Sequence, residues 1–321
     1  MDSGGPARTR VVAPAIVYGM PSVPDTLAAE AETIRSAPRL VRYWWALRHH
    51  EQPFWFLLGR ILMATGLSPL VTIQRHGFAL RFYPSSISLE LWLHAGETRN
   101  DVEHLFRSYL RPGDTVVDVG ANVGLYTLAC AVAVGPTGRV YAIEPSPRVA
   151  GYLSGNVRLN RASQVEVLNV ALGEHEATLH FSDESQDDRN RITDAGTGHT
   201  VRVVRLDDLP IAGAEIALLK IDVEGYEKFV LDGATGLLPR VQCVFIETWE
   251  EHFAKYGYSC ADVHARLRQA GFRLFRFDQQ HLTEVGPGYV STRCEDLLAV
   301  RDRGVFERRT GRTLDLLAPT A

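Results

Sequence analysis

Apolar and polar positions follow two rhythms along the chain, and the change falls near residue 115. Before it, apolar residues recur at helical spacing. Leu27, Ile34, Leu40, Trp44 and Leu47 mark a helix over 26–50, and a more continuously apolar helix follows within 53–73. Residues 71–74 and 78–82 flank His76-Gly77 and read as a short hairpin. Helices over 87–95 and 101–110 then run into the break at Arg111-Pro112-Gly113-Asp114. After it, β-branched runs alternate with helical stretches. Strands are expected at 115–119, 139–143, 165–170, 217–222 and 241–247, with helices to about 133, from Ser146-Pro147 onward, over 224–237 and over 259–270. Such alternation implies right-handed βαβ units and a parallel sheet covered on both faces. Residues 272–277 and 297–301 add an antiparallel edge pair, and 178–181 with 200–206 a further strand pair. The loop 182–199 between the latter two reads either as a lid or as a solvated hairpin tip.

Four parts follow: a loose tail over 1–24, an N-terminal helical extension with a hairpin over 25–110, an α/β domain over 111–303 and a C-terminal tail over 304–321. Thirty-four Lys+Arg against 38 Asp+Glu leave a net charge of -4. No basic excess exists to grip a phosphate backbone, so a dedicated nucleic-acid binder is excluded. Cys130, Cys243, Cys260 and Cys294 form no C-x-x-C pair, which rules out a small disulfide framework and a cysteine zinc site. Buried free thiols in a reducing cytoplasm are expected. The stretch after Arg8 and Arg10 is broken by Pro14, Gly19, Pro21 and Pro24 and makes a poor signal peptide. Within 53–73, Arg60, Gly66 and Pro69 exclude a membrane span, which wants about 20 uninterrupted apolar residues. A helix buried against the main domain and a peripheral membrane or partner contact stay open there. A homodimer is compatible with the chain.

Ligands of open α/β sheets sit beyond the carboxyl ends of the strands, where strand order reverses. After the first core strand comes Asp118-Val119-Gly120-Ala121-Asn122-Val123-Gly124. Its glycines let the backbone turn tightly, and the helix that follows points N–H groups at an anion. Glu144 closes the next strand, placed for both hydroxyls of a ribose. Together they indicate a nucleoside-containing ligand. A dinucleotide fingerprint needs glycine where Asn122 stands, so a nicotinamide cofactor is disfavoured. S-adenosylmethionine carries no phosphate and fits better, with its carboxylate on the glycine-turn amides and its ammonium group near Asp118.

The same stretch carries a series of motifs: Pro112-Gly113-Asp114, Val117 through Gly124, Ile143-Glu144-Pro145 and Asn169-Val170-Ala171-Leu172-Gly173. They continue with Leu206-Asp207, Leu219-Lys220-Ile221-Asp222-Val223-Glu224-Gly225-Tyr226-Glu227, Ile246-Glu247 and Asp296-Leu297-Leu298-Ala299. In these residues the chain from 111 to 301 resembles the FkbM-type S-adenosylmethionine-dependent methyltransferases, a branch of the class I methyltransferase fold. The run from Lys220 to Glu227 is the most specific. The resemblance implies a Rossmann-like α/β fold: a seven-stranded mixed sheet of order 3-2-1-4-5-7-6 with helices on both faces. It also implies methyl transfer to a hydroxyl of a small molecule, such as a secondary metabolite, sugar or glycolipid. Asp118, Gly120, Ala121, Asn122 and Gly124 would line the methionine end of the cofactor. Glu144 would bind the ribose, Val170 and Ala171 would lie beside the adenine, and Asp222 would stand near the sulfonium.

Asp222 and Glu247 close the fourth and fifth strands, so both carboxylates should face the cleft. Three roles stay open for them: general base for the acceptor hydroxyl, divalent metal site, or structural partners. The base reading leads, and no metal is assigned. His252 joins Asp222 and Glu247 as a catalytic candidate, and with Trp249 it could wall the acceptor pocket. Glu224 reads as a site or cap residue and Glu227 as a cap or surface acid. His94 is a lesser candidate base. Lys220 is expected to point away from the cleft in a structural ion pair. The Trp44-Trp45 pair suggests helix packing and His49-His50 a surface. The alternatives are a nicotinamide-dependent oxidoreductase on a related sheet, and a membrane-peripheral scaffold with a vestigial pocket.

Overall fold

The computed structural model describes residues 51–94, 101–181, 192–193, 199–278 and 281–317, with positions 41, 44, 47 and 48. The tail 1–24, most of the helix expected over 26–50 with Trp45, His49 and His50, and most of the loop 182–199 lie outside the described residues. The first described elements are helix α1 (Pro53–Ala64), the antiparallel pair β1 (Thr72–Gln74) and β2 (Ala79–Arg81), and helices α2 (Ser86–Leu93) and α3 (Asp101–Tyr109). The alternating part then supplies β3 (Thr115–Val119), α4 (Leu125–Val134), β4 (Arg139–Ile143), α5 (Pro147–Leu159) and β5 (Val165–Leu168). A small second sheet interrupts it, made of β6 (Ala171–Leu172), β7 (Ala177–Phe181), β8 (Ile192–Thr193) and β9 (His199–Val204). The remaining elements are β10 (Ile216–Ile221), α6 (Glu227–Asp232), β11 (Val241–Thr248), α7 (Glu250–Ala254), α8 (Cys260–Gln269), β12 (Arg273–Asp278), β13 (His281–Glu284), β14 (Glu295–Val300) and α9 (Arg303–Thr310).

The main sheet has the order β13-β12-β14-β11-β10-β3-β4-β5. Without β13 this is the expected seven-stranded order, and β13 adds an eighth strand, antiparallel to β12, at the edge. Strands β5, β4, β3, β10 and β11 run parallel, and β14 is antiparallel to β11. Strand order reverses between β3 and β10, so the crevice beyond their carboxyl ends is the place for a ligand.

Side chains alternate between the two faces of each strand, and two cores result. Val117, Leu219, Val244, Ile246 and Leu297 enter one. Val116, Leu218, Phe245 and Leu298 enter the other, together with Phe56, Phe82, Phe106 and Tyr109 of the N-terminal extension. The extension therefore shares a core with the sheet, and Phe106 meets Phe245 with ring centroids 5.0 Å apart. Each strand turns polar toward its carboxyl end on this second face: Asp118 two residues after Val116, Lys220 after Leu218, Glu247 after Phe245. The packing of the sheet thus places a row of charged groups at the crevice.

Three expectations need correction or refinement. The helix expected over 224–237 is only Glu227–Asp232, because Glu224 (φ 55°) and Gly225 (φ 99°) reverse the chain before it. Helix α1 buries only Phe56 and Gly59, leaving Phe54, Trp55, Leu57 and Ile61 exposed, so the apolar stretch is largely surface. No helix among the described residues is long and apolar enough to cross a membrane. The segment expected as a C-terminal tail carries α9, whose Phe306 is buried against Tyr109 and whose Arg309 pairs with Asp114.

Candidate active site

The turn after β3 folds back onto both neighbouring strands. Gly120 N and Ala121 N donate to the Ile143 carbonyl at 3.0 Å each, and Asp222 N donates to the Val119 carbonyl at 3.1 Å. This closeness requires glycine: at Gly120 (φ 77°) a Cβ would stand 1.8 Å from the Asp222 carbonyl oxygen. Asn122 is also left-handed (φ 49°), a conformation asparagine tolerates, and its Oδ1 accepts from Val123 N at 2.8 Å. Glu144 Oε2 accepts from Asn122 N at 3.0 Å and Oε1 from Ser146 N at 2.9 Å. Gly124 N donates to the Ala121 carbonyl at 2.9 Å. The amides of 120–124 are thus engaged within the protein, contrary to the expectation that they would receive a ligand carboxylate. Helix α4 begins at Leu125 with no side-chain cap, so its first turn offers donors to an anion instead. Beside Glu144, the Asn169 side chain donates to the Glu144 and Pro145 carbonyls at 2.8 and 3.0 Å. Val170 is partly buried next to it, and Ala171 is buried.

Beneath the turn lies a buried ionic group. Asp118 is 1% exposed; its Oδ2 accepts from the Thr127 hydroxyl at 2.6 Å, and its Oδ1 is 3.2 Å from Lys220 Nζ. Lys220 Nζ also donates to the Gly120 carbonyl at 2.9 Å and stands 3.4 Å from Asp222 Oδ2. Burial works against its charge, but Asp118 and Asp222 outweigh burial and raise its pKa. The expected ion pair exists. Its expected direction was wrong: Lys220 and Asp222 are two residues apart and share a face, so the ammonium ties the turn to the cleft.

Toward β11 the acids crowd together. Ile221 pairs with Ile246 and Glu247 with Asp296, which places Asp222, Glu247 and Asp296 side by side. The Glu247 carboxyl is held well above the usual carboxylate range by burial, then by the charges of Asp222 and Glu224; Cys294 Sγ donates to its Oε1 at 2.8 Å and opposes the shift. Asp296 is pushed up to about 7 by burial and Asp222. Glu224 Oε2 lies 3.5 Å from His252 Nδ1, and the His252 ring packs on Trp249 with centroids 4.2 Å apart. Burial and Lys255 lower the His252 pKa to about 4, so the ring is neutral near pH 7. Glu227, expected as a cap or surface acid, is a cap but fully buried: Oε1 accepts from Val223 N and Gly225 N at 3.0 and 3.3 Å. Burial pushes its pKa to about 7.

The structure therefore brings together Asp222, Glu224, Glu247 and His252. His94 stands apart from them, at the end of α2 with Nδ1 on the Glu90 carbonyl. Trp44 is exposed beneath Arg48 rather than packed. Cys294, Asp296 and Thr127 were missed. Asp296 had stood only in the Asp296-Leu297-Leu298-Ala299 motif with no role, and its place beside Glu247 comes from the pairing of β14 with β11; Cys294 and Thr127 carried no signal of their own.

Known proteins bear on this arrangement. The family described as Methyltransferase FkbM domain matches residues 118–274. Hexuronic acid methyltransferase AglP of Haloferax volcanii is 28% identical over 195 residues, covering 58% of this chain and 78% of that one. Methyltransferase sdnD of Sordaria araneosa is 31% identical over 198 residues, covering 50% and 74%. The 31-O-demethyl-FK506 methyltransferase FkbM of Streptomyces tacrolimicus is 29% identical over 230 residues, covering 61% and 84%.

Proposed function

Since the chain belongs to the FkbM methyltransferase family and takes S-adenosylmethionine as its cofactor, we propose that it methylates a hydroxyl oxygen of a small molecule in the cytoplasm. The acceptor class is a sugar, glycolipid or secondary metabolite. Two relatives are named for a hexuronic acid and for 31-O-demethyl-FK506, which supports oxygen as the receiving atom. The cofactor supplies an electrophilic methyl group on a sulfonium centre.

The residues present fit that cofactor. Glu144, held by the amides of Asn122 and Ser146 at the end of β4, stands where ribose hydroxyls would lie. Val170 and Ala171 border the adenine, and the uncapped start of α4 takes the carboxylate. Gly120, Ala121, Asn122 and Gly124 form the wall along the methionine end. Asp118 acts beneath that wall, through Lys220, rather than as an open contact. The α/β domain over 111–303 would carry both reactants, and Phe56, Phe82, Phe106 and Tyr109 of the extension cover the face from which the acidic row emerges.

An alcohol is a weak nucleophile, so its proton must leave as the O–C bond forms. The Asp222–Glu247 pair receives it, with neutral His252 and Trp249 walling the acceptor side. One observation carries this role: strand register sets Asp222 and Glu247 side by side at the carboxyl ends of β10 and β11, at the crevice where the acceptor would lie. The test is labelled-methyl transfer from S-adenosylmethionine to polyhydroxylated acceptors, with the product examined by NMR. A new O-methyl signal that disappears in the Asp222→Asn/Glu247→Gln double variant is expected. An N-methyl product, or undiminished turnover in that variant, would overturn the reading.

A further inference from the structure

We infer that Glu224, Glu247 and His252 form a binding site for one divalent first-row cation on the acceptor side of the cleft. The inference rests on the methyl-transfer reading and deepens it by giving the acceptor oxygen a place to bind. One ligand atom from each residue lies within 4.8 Å of the other two. Ligands bound at about 2.1 Å to one ion stand at most about 4.2 Å apart, so closure asks only for small side-chain rotations. The three come from separate parts of the fold: the turn after β10, the end of β11, and α7.

Two further observations point to a cation. His252 Nδ1 is buried and has no hydrogen-bond partner, and at 3.5 Å from Glu224 Oε2 it is beyond a good hydrogen bond. Its ring is oriented by Trp249, which holds the unpartnered nitrogen in place for a metal. Glu227 is fully buried and its Oε2 has no hydrogen-bond partner. Lys220 is already taken up by Asp118 and Asp222. The pocket therefore gathers more carboxylates than Lys220 can pair, and an ion of charge two at the three ligands would hold them together.

Two carboxylate oxygens and one imidazole nitrogen favour a first-row ion such as Mn²⁺ or Zn²⁺ over Mg²⁺ or Ca²⁺, which prefer oxygen alone. Three protein ligands leave coordination positions open to the cleft. An ion there lowers the pKa of an acceptor hydroxyl, and the proton passes to Asp222, the acid of the cluster that is not a ligand. Glu247 is then a ligand and Asp222 the base.

Mn²⁺ titration of the full chain, followed by electron paramagnetic resonance without cofactor or acceptor, tests the site. One bound Mn²⁺ per chain is expected. Glu224→Gln and His252→Gln should each weaken it by about 100-fold while circular dichroism stays unchanged, and Asp222→Asn should keep it within about threefold. No bound Mn²⁺ at millimolar concentration, or an affinity in both ligand variants unchanged from that of the unsubstituted chain, would overturn the cation site. Full-rate O-methylation by chelator-treated protein would overturn the cation and leave the methyl-transfer reading standing. Cation binding with no transfer to any hydroxyl would sink the methyl-transfer reading instead.

Discussion

Beyond β3 and β4, the carboxylates of Asp118 and Glu144 are buried and each oxygen has a partner: a hydroxyl, an ammonium or a backbone amide. Beyond β10 and β11, Asp222, Glu224, Glu247 and Asp296 crowd one another, and Glu247 and Asp296 hold protons more tightly than ordinary acids. The same residue type thus serves two ends. Where amides, a hydroxyl and an ammonium surround a carboxylate, it fixes geometry; where carboxylates crowd one another, they become groups that can take up a proton or a cation. Lys220 joins the two regions, since it pairs with one acid of each.

The largest effect expected from breaking this contrast is on the crowded side. Asp222→Asn should lower kcat by about 10²–10⁴, the usual scale for a general base, while calorimetry finds cofactor affinity changed far less. Next comes Lys220→Met, which leaves Asp118 buried without its counter-charge. A loss of about 3–5 kcal/mol in stability by urea unfolding is expected, as for other broken buried pairs. On the paired side, Glu144→Ala should weaken cofactor binding by about 1–3 kcal/mol, read by calorimetry, and lower the melting temperature as the amides of Asn122 and Ser146 lose their acceptor.

The smallest effect sharpens the pH behaviour. Glu227 titrates near 7 in the folded chain against an ordinary 4.5, so the native state binds the extra proton. Its contribution to stability is present below the ordinary value and is lost as pH rises through about 7. Glu227→Gln, whose carbonyl can still accept from Val223 and Gly225, removes that loss. Its advantage over the unmodified chain should grow by roughly 2–4 °C in Tm between pH 5 and pH 8. An advantage that shrinks over this interval would mean that Glu227 is ionised throughout.

The glycine turn and Glu144 were legible because both lie within a few residues of a strand end, where local pattern and the βαβ rule suffice. The eighth strand was hidden: His281–Glu284 pairs with β12 across a short connection and lacks a clear apolar alternation of its own. Helix α6 was drawn too long because the left-handed Glu224 interrupts a sequence of good helix formers, and nothing local requires a glutamate to take that conformation. The surface character of α1 was equally out of reach, since its pattern is apolar nearly all round and only the neighbouring elements decide which side is covered.

By itself the sequence determined the alternating sheet, the turn that needs glycine, the acids at the strand ends and the family to which the chain belongs. Only the tertiary structure decided which acids are neutralised and which are left in excess. Composition and spacing count charges, but a carboxylate's behaviour depends on what stands within a few ångströms of it. Those neighbours come from strands more than 20 residues away in the chain, through a register set by packing on both faces of the sheet.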